Sequence, residues 1–248
     1  MDRRAFLAAI GALGAGCVGG GGDGDGGADA TSTRMQTRTR TTTPTATETA
    51  TVTDTPTATA TATPIPEPDP ASFSGQEGAV TDTFDIQGGL AVFELSHDGE
   101  SNFQTELVPD GAGRSDLLTN AIGAYDGRIG QYAAAGSYAL DITANGSWSA
   151  TVSQPRYEES DLVQPPLSES GRYAAVLGPI QFSGLTTVAV EARGEGALSV
   201  WLRTHRGEQI ELISNGVAPY TDEAAVNETG VGLLTVETNQ TEWSISVD

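Results

Sequence analysis

The feature that most constrains this sequence is an internal duplication. Residues 89–152 recur as residues 184–247, and every matched pair is separated by the same offset in the numbering, so the alignment is nearly free of gaps. A chain of this kind is expected to fold as two copies of one small module. The matched pairs are Gly89/Gly184, Leu90/Leu185, Asn120/Asn215, Tyr125/Tyr220, Trp148/Trp243, Ser149/Ser244 and Val152/Val247.

Module one, assigned to residues 73–157, alternates between short strand patterns and turn residues. Residues 80–86 largely alternate apolar and polar side chains, which predicts a half-buried strand, and residues 103–107 repeat this pattern. Leu140 and Ile142 would share one face of a further strand. We expect Asn145-Gly146 to form a tight hairpin turn, because this dipeptide favours a two-residue loop between antiparallel strands.

Module two, assigned to residues 171–248, repeats these strand patterns. No segment of useful length follows the helical period, so the predicted fold class is all-β. We expect two tandem antiparallel β-sandwich modules of jelly-roll-like form, with Trp148 and Trp243 in their cores. Further matched strand positions are Leu198/Phe103, Val200/Thr105 and Leu202/Leu107. After a one-residue slip, Leu234/Leu140 and Val236/Ile142 also match.

Residues 158–170 form the linker between the two modules. This segment is acidic, and its Pro165-Pro166 pair is stiff. We therefore expect the modules to be arranged like beads, with a modest interface at most.

The charge of the chain narrows its environment and its partners. The 248-residue chain has a formal net charge of -21 at pH 7, and all 12 of its basic residues are arginine. This pattern is typical of proteins that work in very high salt, where a Debye length of roughly 3 Å at about 1 M screens the repulsion between carboxylates. The alternative is an acidic surface protein at ordinary salt. In either environment, the acidic charge of the chain argues against a nucleic-acid partner, because binding to nucleic acid needs clustered Lys and Arg.

Residues 1–17 have the pattern of an export signal that ends in an anchor. The pair Arg3-Arg4, followed by the apolar residues 5–15, resembles a twin-arginine signal, and this stretch is too short to span a bilayer core of about 30 Å. The end of the segment resembles a lipobox, although leucine is usual where Gly14 stands. We expect Cys17, the only cysteine, to carry a lipid that anchors the protein to the extracellular face of the cell membrane. The alternative is an incidental cysteine.

Residues 18–72 are predicted to form a disordered stalk. A Gly/Asp run precedes a tract rich in Thr, Ala and Pro, which has too few large apolar side chains to offset the entropy of ordering. Threonine and proline together favour an extended, O-glycosylated stalk, and the alternative is a bare linker. Either form would hold the modules away from the membrane.

Three stretches of module one resemble a known family. They read G-L-x-x-F-x-x-S-H-D-G-x-S-N-F from Gly89, N-A-I-G-A-Y-D-G from Asn120 and G-x-Y-x-L-x-I-x-A-N-G-x-W from Gly136. They look like secreted β-sandwich modules related to the pre-peptidase C-terminal type. Together with the N-terminus, the whole chain resembles haloarchaeal twin-arginine-exported lipoproteins. The resemblance implies accessory, non-catalytic domains. Module two reads A-R-G-E-G from Ala192 in place of the His97 turn, so any role of that turn would belong to one copy.

The sequence contains no constellation with the spacing of a catalytic or metal site, so we expect no enzyme activity and no cofactor. His97 and His205 are not at equivalent positions of the repeat, neither belongs to a metal-spaced motif, and no G-x-S-x-G elbow is present. The Asp-Gly steps at Asp98, Asp110 and Asp126 could bind Ca²⁺ through oxygen atoms, but turn chemistry explains them equally well.

The sequence also contains candidate surface sites. Three N-x-[ST] sequons, at Asn145, Asn227 and Asn239, are candidate N-glycosylation sites. Tyr125 and Tyr220 are candidate ligand contacts if they lie exposed on one face.

Three hypotheses about function follow from these patterns. The first is a lipid-anchored surface protein that displays two non-catalytic modules for binding or adhesion to an unknown surface ligand or envelope component. The second is a module that captures a carbohydrate or another solute through exposed aromatic side chains. The third is a purely structural envelope component.

Overall fold

Thirteen strands and one short 3₁₀ helix make up residues 66–248, the part of the chain that the computed structural model describes. They form two antiparallel sheets, one for each module, which confirms the predicted all-β fold with two tandem antiparallel modules. In this part of the chain, the search for a helix both long and apolar enough to cross a membrane finds none. The predicted sites Arg3, Arg4 and Cys17 and the stalk up to residue 65 lie outside the described residues.

Module one is a single sheet of seven strands in the order β5-β4-β7-β3-β6, with β1 and β2 also paired to β7. The sheet curls around its core into a near-barrel, and β5 and β6 are the two end strands of that order. The strands are β1 Ala71–Val80, β2 Phe84–Ile86, β3 Gly89–His97, β4 Asn102–Pro109, β5 Asp116–Ile122, β6 Tyr125–Ala133 and β7 Gly136–Ser153.

Module two is a sandwich-like sheet of six strands in the order β11-β10-β12-β9-β13-β8. Its β9 joins the equivalents of β2 and β3, and its β12 joins the equivalents of β6 and the first half of β7. The strands are β8 Leu167–Gly171, β9 Ala175–Arg193, β10 Ala197–Thr204, β11 Gln209–Val217, β12 Tyr220–Thr238 and β13 Glu242–Val247.

The strand register reproduces the duplication seen in the sequence. The cross-strand pair Leu107–Leu140 of module one becomes Leu202–Leu234 in module two, which confirms the predicted one-residue slip. The modules are therefore copies in their hydrogen-bonding register as well as in their sequence. Other equivalent pairs are Phe93–Ile129 with Val188–Ala224, Phe93–Val152 with Val188–Val247, and Thr105–Thr119 with Val200–Ser214.

The two matched tryptophans fill the cores, as predicted. Trp148 and Trp243 are each 5% exposed, and each belongs to the main apolar cluster of its module. The indole N–H of Trp148 donates to the backbone oxygen of Glu77 at 2.8 Å, and that of Trp243 donates to the backbone oxygen of Tyr173 at 2.9 Å. Burial of the ring with its N–H satisfied accounts for the retention of tryptophan at both places.

The predicted hairpin at Asn145-Gly146 is wrong, because β7 continues through this dipeptide. β1 pairs with β7 on both sides of it, through Gly75–Trp148 and Ala79–Ile142. Gly146 has a φ of 138°, a conformation that glycine adopts without steric cost, so the strand bends here instead of reversing. The bend lets β7 pair with β4 before it and with β3 after it.

The two modules are in direct contact through a small buried cluster. Leu90 and Val92 of β3 form a buried cluster with Val176 and Leu233 of module two. The sequence already carries the reason, since the run from Leu90 is apolar at consecutive positions and therefore on both faces of its strand. One face fills the core of module one, and the other packs on module two.

Module two contains a buried arginine. The side chain of Arg203 is 7% exposed and forms an ion pair with Glu237 at 2.8 Å. Its other guanidinium N–H groups donate to Thr235 Oγ1 and to the backbone oxygen of Gly207. Each of the three guanidinium nitrogens thus has an acceptor within module two.

The strands extend beyond the predicted module boundaries. β1 begins at Ala71, inside the predicted stalk, and β8 begins at Leu167, inside the predicted linker. The rest of the linker contains the 3₁₀ helix η1 Glu159–Asp161 and a bridge from Val163 to Ile180. The linker is therefore attached to module two by backbone hydrogen bonds.

Candidate functional site

The longest run of matched residues in the duplication lies on an edge strand in each module. β5 reads D-L-L-T-N-A-I over Asp116–Ile122, and residues 211–217 of β11 read E-L-I-S-N-G-V, so all seven positions keep their chemical type. We call these two segments the edge motifs. Both β5 and β11 stand at the end of their strand order, so among the described residues only one side of each is paired with another strand.

Packing accounts for the inward positions of the edge motif but not for the outward ones. Thr119 and its counterpart Ser214 are buried, and their chemical type is set by the core. A core does not require aliphatic side chains at strongly exposed positions, so the retained outward residues point to a surface role. The outward aliphatic residues are 57% exposed at Leu117, 75% at Ile122, 42% at Leu212 and 72% at Val217.

The backbone of the edge motif is duplicated as well. The register of β4 with β5 shifts after the pair Thr105–Thr119, and the register of β10 with β11 shifts after the equivalent pair Val200–Ser214. Such β-bulges at sheet edges redirect side chains and limit pairing. The two edges therefore share their local geometry, and a scan of the repeat for its longest matched run would have found them from sequence.

A cleft with a volume of about 590 Å³ opens beside the edge motif of module one. It lies between β5 and β6, the end strands of the near-barrel, and module two covers it with residues 195–197 and 235–241. Leu117, Asn120 and Ile122 contribute to its lining. One wall of the cleft is therefore a sheet edge that carries exposed aliphatic side chains.

The cleft is acidic and is spanned by one side chain of module two. The amide of Gln240 donates to the backbone oxygens of Ile122 at 2.8 Å and Ala124 at 3.1 Å. Glu195 and Glu237 are the charged residues among those that line the cleft, and the carboxylate of Glu237 is already paired with Arg203. An uncharged or basic segment would therefore fit it better than an acidic one.

The structure places the candidate ligand contact Tyr125 in the core, so the condition for that role, exposure of the side chain on one face, is not met. Its side chain is 2% exposed and packs against Phe103, with ring centroids 5.7 Å apart, and Tyr173, at 5.2 Å. This burial removes Tyr125 from the exposed aromatic residues that the carbohydrate-capture hypothesis requires, whereas Tyr132 is 50% exposed. Its hydroxyl lies near that of Thr119, but neither forms a hydrogen bond of acceptable geometry.

The second candidate contact, Tyr220, has its hydroxyl engaged inside module two. The hydroxyl donates to the backbone oxygen of Leu198 and accepts from Ser214 Oγ, both at 3.2 Å. The half-buried ring lies against Gly216 of the edge motif. Both tyrosines therefore lie next to the buried side of an edge motif. They differ because the hydroxyl of Tyr220 forms hydrogen bonds and that of Tyr125 does not.

Replacing these tyrosines by phenylalanine should give opposite results. Tyr125→Phe removes a buried hydroxyl that has no partner, so the free energy of unfolding should stay the same or rise, whereas Tyr220→Phe should lower it by about 1 kcal/mol. Urea unfolding of both variants at pH 7 measures the difference. A loss for Tyr125→Phe as large as that for Tyr220→Phe would contradict this reading.

The difference in the free energy of unfolding between the parent and Tyr125→Phe should depend on pH. Burial raises the pKa of Tyr125 above its usual value of 10.0, with the nearby Thr119 hydroxyl opposing this and Asp126 adding to it. Because the folded state then favours the protonated phenol, stability is complete below about pH 10 and is lost as the pH rises through the raised pKa. In Tyr125→Phe this loss should be smaller but not absent, since burial also raises the pKa of Tyr157.

Of the remaining candidate residues, Asn239 lines the cleft, and the others are separate from it or are structural. Asn145, Asn227 and Asn239 are all exposed, so glycosylation of the three sequons stays a prediction. His97 is 3% exposed, stacks on Phe103 at 4.7 Å and has Nδ1 2.9 Å from the backbone oxygen of Gly123. Since a carbonyl only accepts, the ring N–H is on Nδ1, and His97 ties β3 to the turn after β5. His205 is exposed.

The acidic and histidine side chains of the described residues are not clustered in threes. Between residues 66 and 248, no group of three or more His, Cys, Asp or Glu side chains is placed to hold a metal ion. The carboxylate of Asp98 instead accepts a hydrogen bond from the backbone N–H of Ser147.

Comparison with known proteins supplies no family. No family model matches the chain. A search of curated proteins also finds no match. Among solved structures, the chain is similar to the crystal structure of the PBSX exported protein XepA, with 9% sequence identity, a TM-score of 0.22, and coverage of 72% of this chain and 86% of that chain. At this TM-score the similarity carries no argument about function.

Proposed function

We propose that this chain is a lipid-anchored cell-surface protein whose two β modules bind a partner without catalysis. Residues 1–17 would export and anchor it, and residues 18–72 would hold the modules out from the membrane. The observation that supports binding most strongly is the edge motif, which keeps its exposed aliphatic residues in both copies of the repeat.

The cleft beside β5 is the place where we propose that the partner binds. The outer edge of β5 is unpaired among the described residues, so an extended segment of another chain could add to it as a further strand. Leu117 and Ile122 would contact the side chains of that segment, and the free edge of β5 would bind its backbone. Because Glu195 lines the cleft without a basic residue in the lining, while Glu237 is paired with Arg203, the segment should be uncharged or basic. An envelope protein with such a segment is the class of partner that we propose.

Binding of the purified full chain to isolated cell envelopes tests this proposal. All variants carry Cys17→Ser, so that lipid insertion does not contribute to retention. Leu117→Thr/Ile122→Thr should weaken envelope binding at least about tenfold, because it removes two apolar contacts but keeps side chains that suit a strand. The matched control is Val80→Thr/Leu185→Thr, which changes two side chains that are 67% and 78% exposed and lie away from both edge motifs.

The control pair should bind like the parent chain. Equal binding by the β5 variant and the parent would overturn the cleft as the binding site. The anchor has its own readout, because the chain with Cys17 should sediment with membranes and the Cys17→Ser chain should not. Equal sedimentation of the two would remove the lipid anchor from the proposal.

A further inference from the structure

The edge motif of module two is more open than that of module one. Residues 195–197 and 235–241 of module two cover the cleft beside β5, and Gln240 bonds to the end of that strand. The outer side of β11 pairs with no strand among the described residues. β11 also carries a third exposed aliphatic residue, Ile210, which is 40% exposed. An open edge with several exposed aliphatic side chains is a template for pairing with another strand.

We propose that β11 is a self-association surface, on which β11 of a second copy of this chain pairs antiparallel across a two-fold axis. The proposal rests on the surface role of the edge motif stated above, but it concerns a different strand and a different partner. Pairing of a strand with its own copy is self-complementary, so each copy supplies and receives the same contacts.

Charge favours a second copy at this strand. Soluble proteins commonly protect sheet edges with lysine, and this chain contains none. β11 has one charged residue, Glu211, in a chain whose net charge is -21. It is thus a place where two acidic copies can approach with little local repulsion, and salt screens the repulsion from the rest of each copy.

The size of the edge sets the expected strength of the dimer. Nine residues at about 3.4 Å each form a strip of at most roughly 30 Å, and two register shifts with β10 interrupt its regular geometry. A single strand pair of this length lies at the low end of interface sizes, where association is weak and transient. The dimer should therefore form reversibly, with a Kd on the order of 10–100 µM in high salt.

Sedimentation velocity of the full chain carrying Cys17→Ser tests the proposal in about 2 M KCl, across a concentration range that reaches several times that Kd. The parent should shift from monomer to dimer as its concentration rises. Leu212→Thr/Val217→Thr should raise the dimer Kd at least about tenfold. The matched variant Leu117→Thr/Ile122→Thr should dimerise like the parent.

Three results would overturn the proposal. The parent could remain monomeric at the highest concentration, the β11 variant could dimerise as well as the parent, or the parent could form open-ended chains, which would indicate pairing of β11 with β5. Because the envelope-binding assay reports on β5 and sedimentation reports on β11, either proposal can fail while the other stands. Near-ultraviolet circular dichroism of each variant establishes that the fold is kept.

Discussion

Trp148→Ala is expected to lower the free energy of unfolding by about 3–5 kcal/mol, the range for removing a large aromatic side chain from a core. The indole is 5% exposed and belongs to the main apolar cluster of module one. Its loss also leaves the backbone oxygen of Glu77 without the donor it now has. Urea or guanidinium unfolding followed by circular dichroism measures the change.

The chain supplies matched controls for this result. Trp243→Ala removes the equivalent ring of module two and should cost a similar amount. Trp201 is half-buried and lies outside the core clusters, so Trp201→Ala should cost only about 1 kcal/mol. A loss for Trp148→Ala no greater than for Trp201→Ala would mean that the tryptophans are not the centres of the two cores.

Substitution of the glycines that lie against the two indoles tests the packing of the same rings. A Cβ at Gly75 would lie 2.7 Å from Cε2 of Trp148, and a Cβ at Gly171 would lie 2.6 Å from Cζ2 of Trp243. Alanine at either position should therefore destabilise the protein by about 1–3 kcal/mol through overpacking. Gly136→Ala is the control, because its Cβ would meet Tyr138 at an ordinary distance of 3.4 Å.

The second large change in stability should come from lowering the salt concentration. Lowering KCl from about 2 M to about 0.1 M should reduce the Tm by at least about 10 °C, because the Debye length grows from roughly 2–3 Å to about 10 Å and repulsion between carboxylates is no longer screened. The chain has 33 acidic residues and 12 arginines. In residues 66–248 three arginines form ion pairs with carboxylates, and only that of Arg203 is buried. Thermal unfolding across a KCl series measures the effect.

A variant with fewer acids separates charge screening from other effects of salt. Asp82→Asn/Glu100→Gln/Glu223→Gln removes three exposed carboxylates that form no ion pair. The Tm of this variant should fall less than that of the parent as KCl is lowered. An equally steep fall would show that salt acts by strengthening apolar burial. A Tm that does not change with KCl would contradict adaptation to high salt.

The fold class and the strand register could be predicted from the sequence, because both depend on local periodicity and on the repeat. The slip between Leu140 and Leu234 was visible as a shift in aliphatic spacing, and strand pairing confirms it. The bend at Gly146 was misread, because Asn-Gly suits a turn and a bend equally well. Pairing of the distant strand β1 across the dipeptide decides between them, and no local pattern reports it.

The site was predictable only in part, for a related reason. The seven matched residues of the edge motif could have been found in the sequence, but their position at the end of each sheet depends on the whole strand order. The recurrence of Tyr125 as Tyr220 does not by itself show whether either side chain is exposed. The burial of Tyr125 comes from Phe103 and Tyr173, which are distant in sequence and meet it only in the folded chain.

The long strands β7, β9 and β12 have a consequence for how each module comes apart. β7 is hydrogen-bonded to β4 along its first half and to β3 along its second half, and β9 and β12 pair with each other along nearly their whole length, so these strands tie the inner strands of each module together. Partial melting is thereby disfavoured, and each module should open as one event. Proteases should therefore cleave the inner strands of a module only after that module has unfolded.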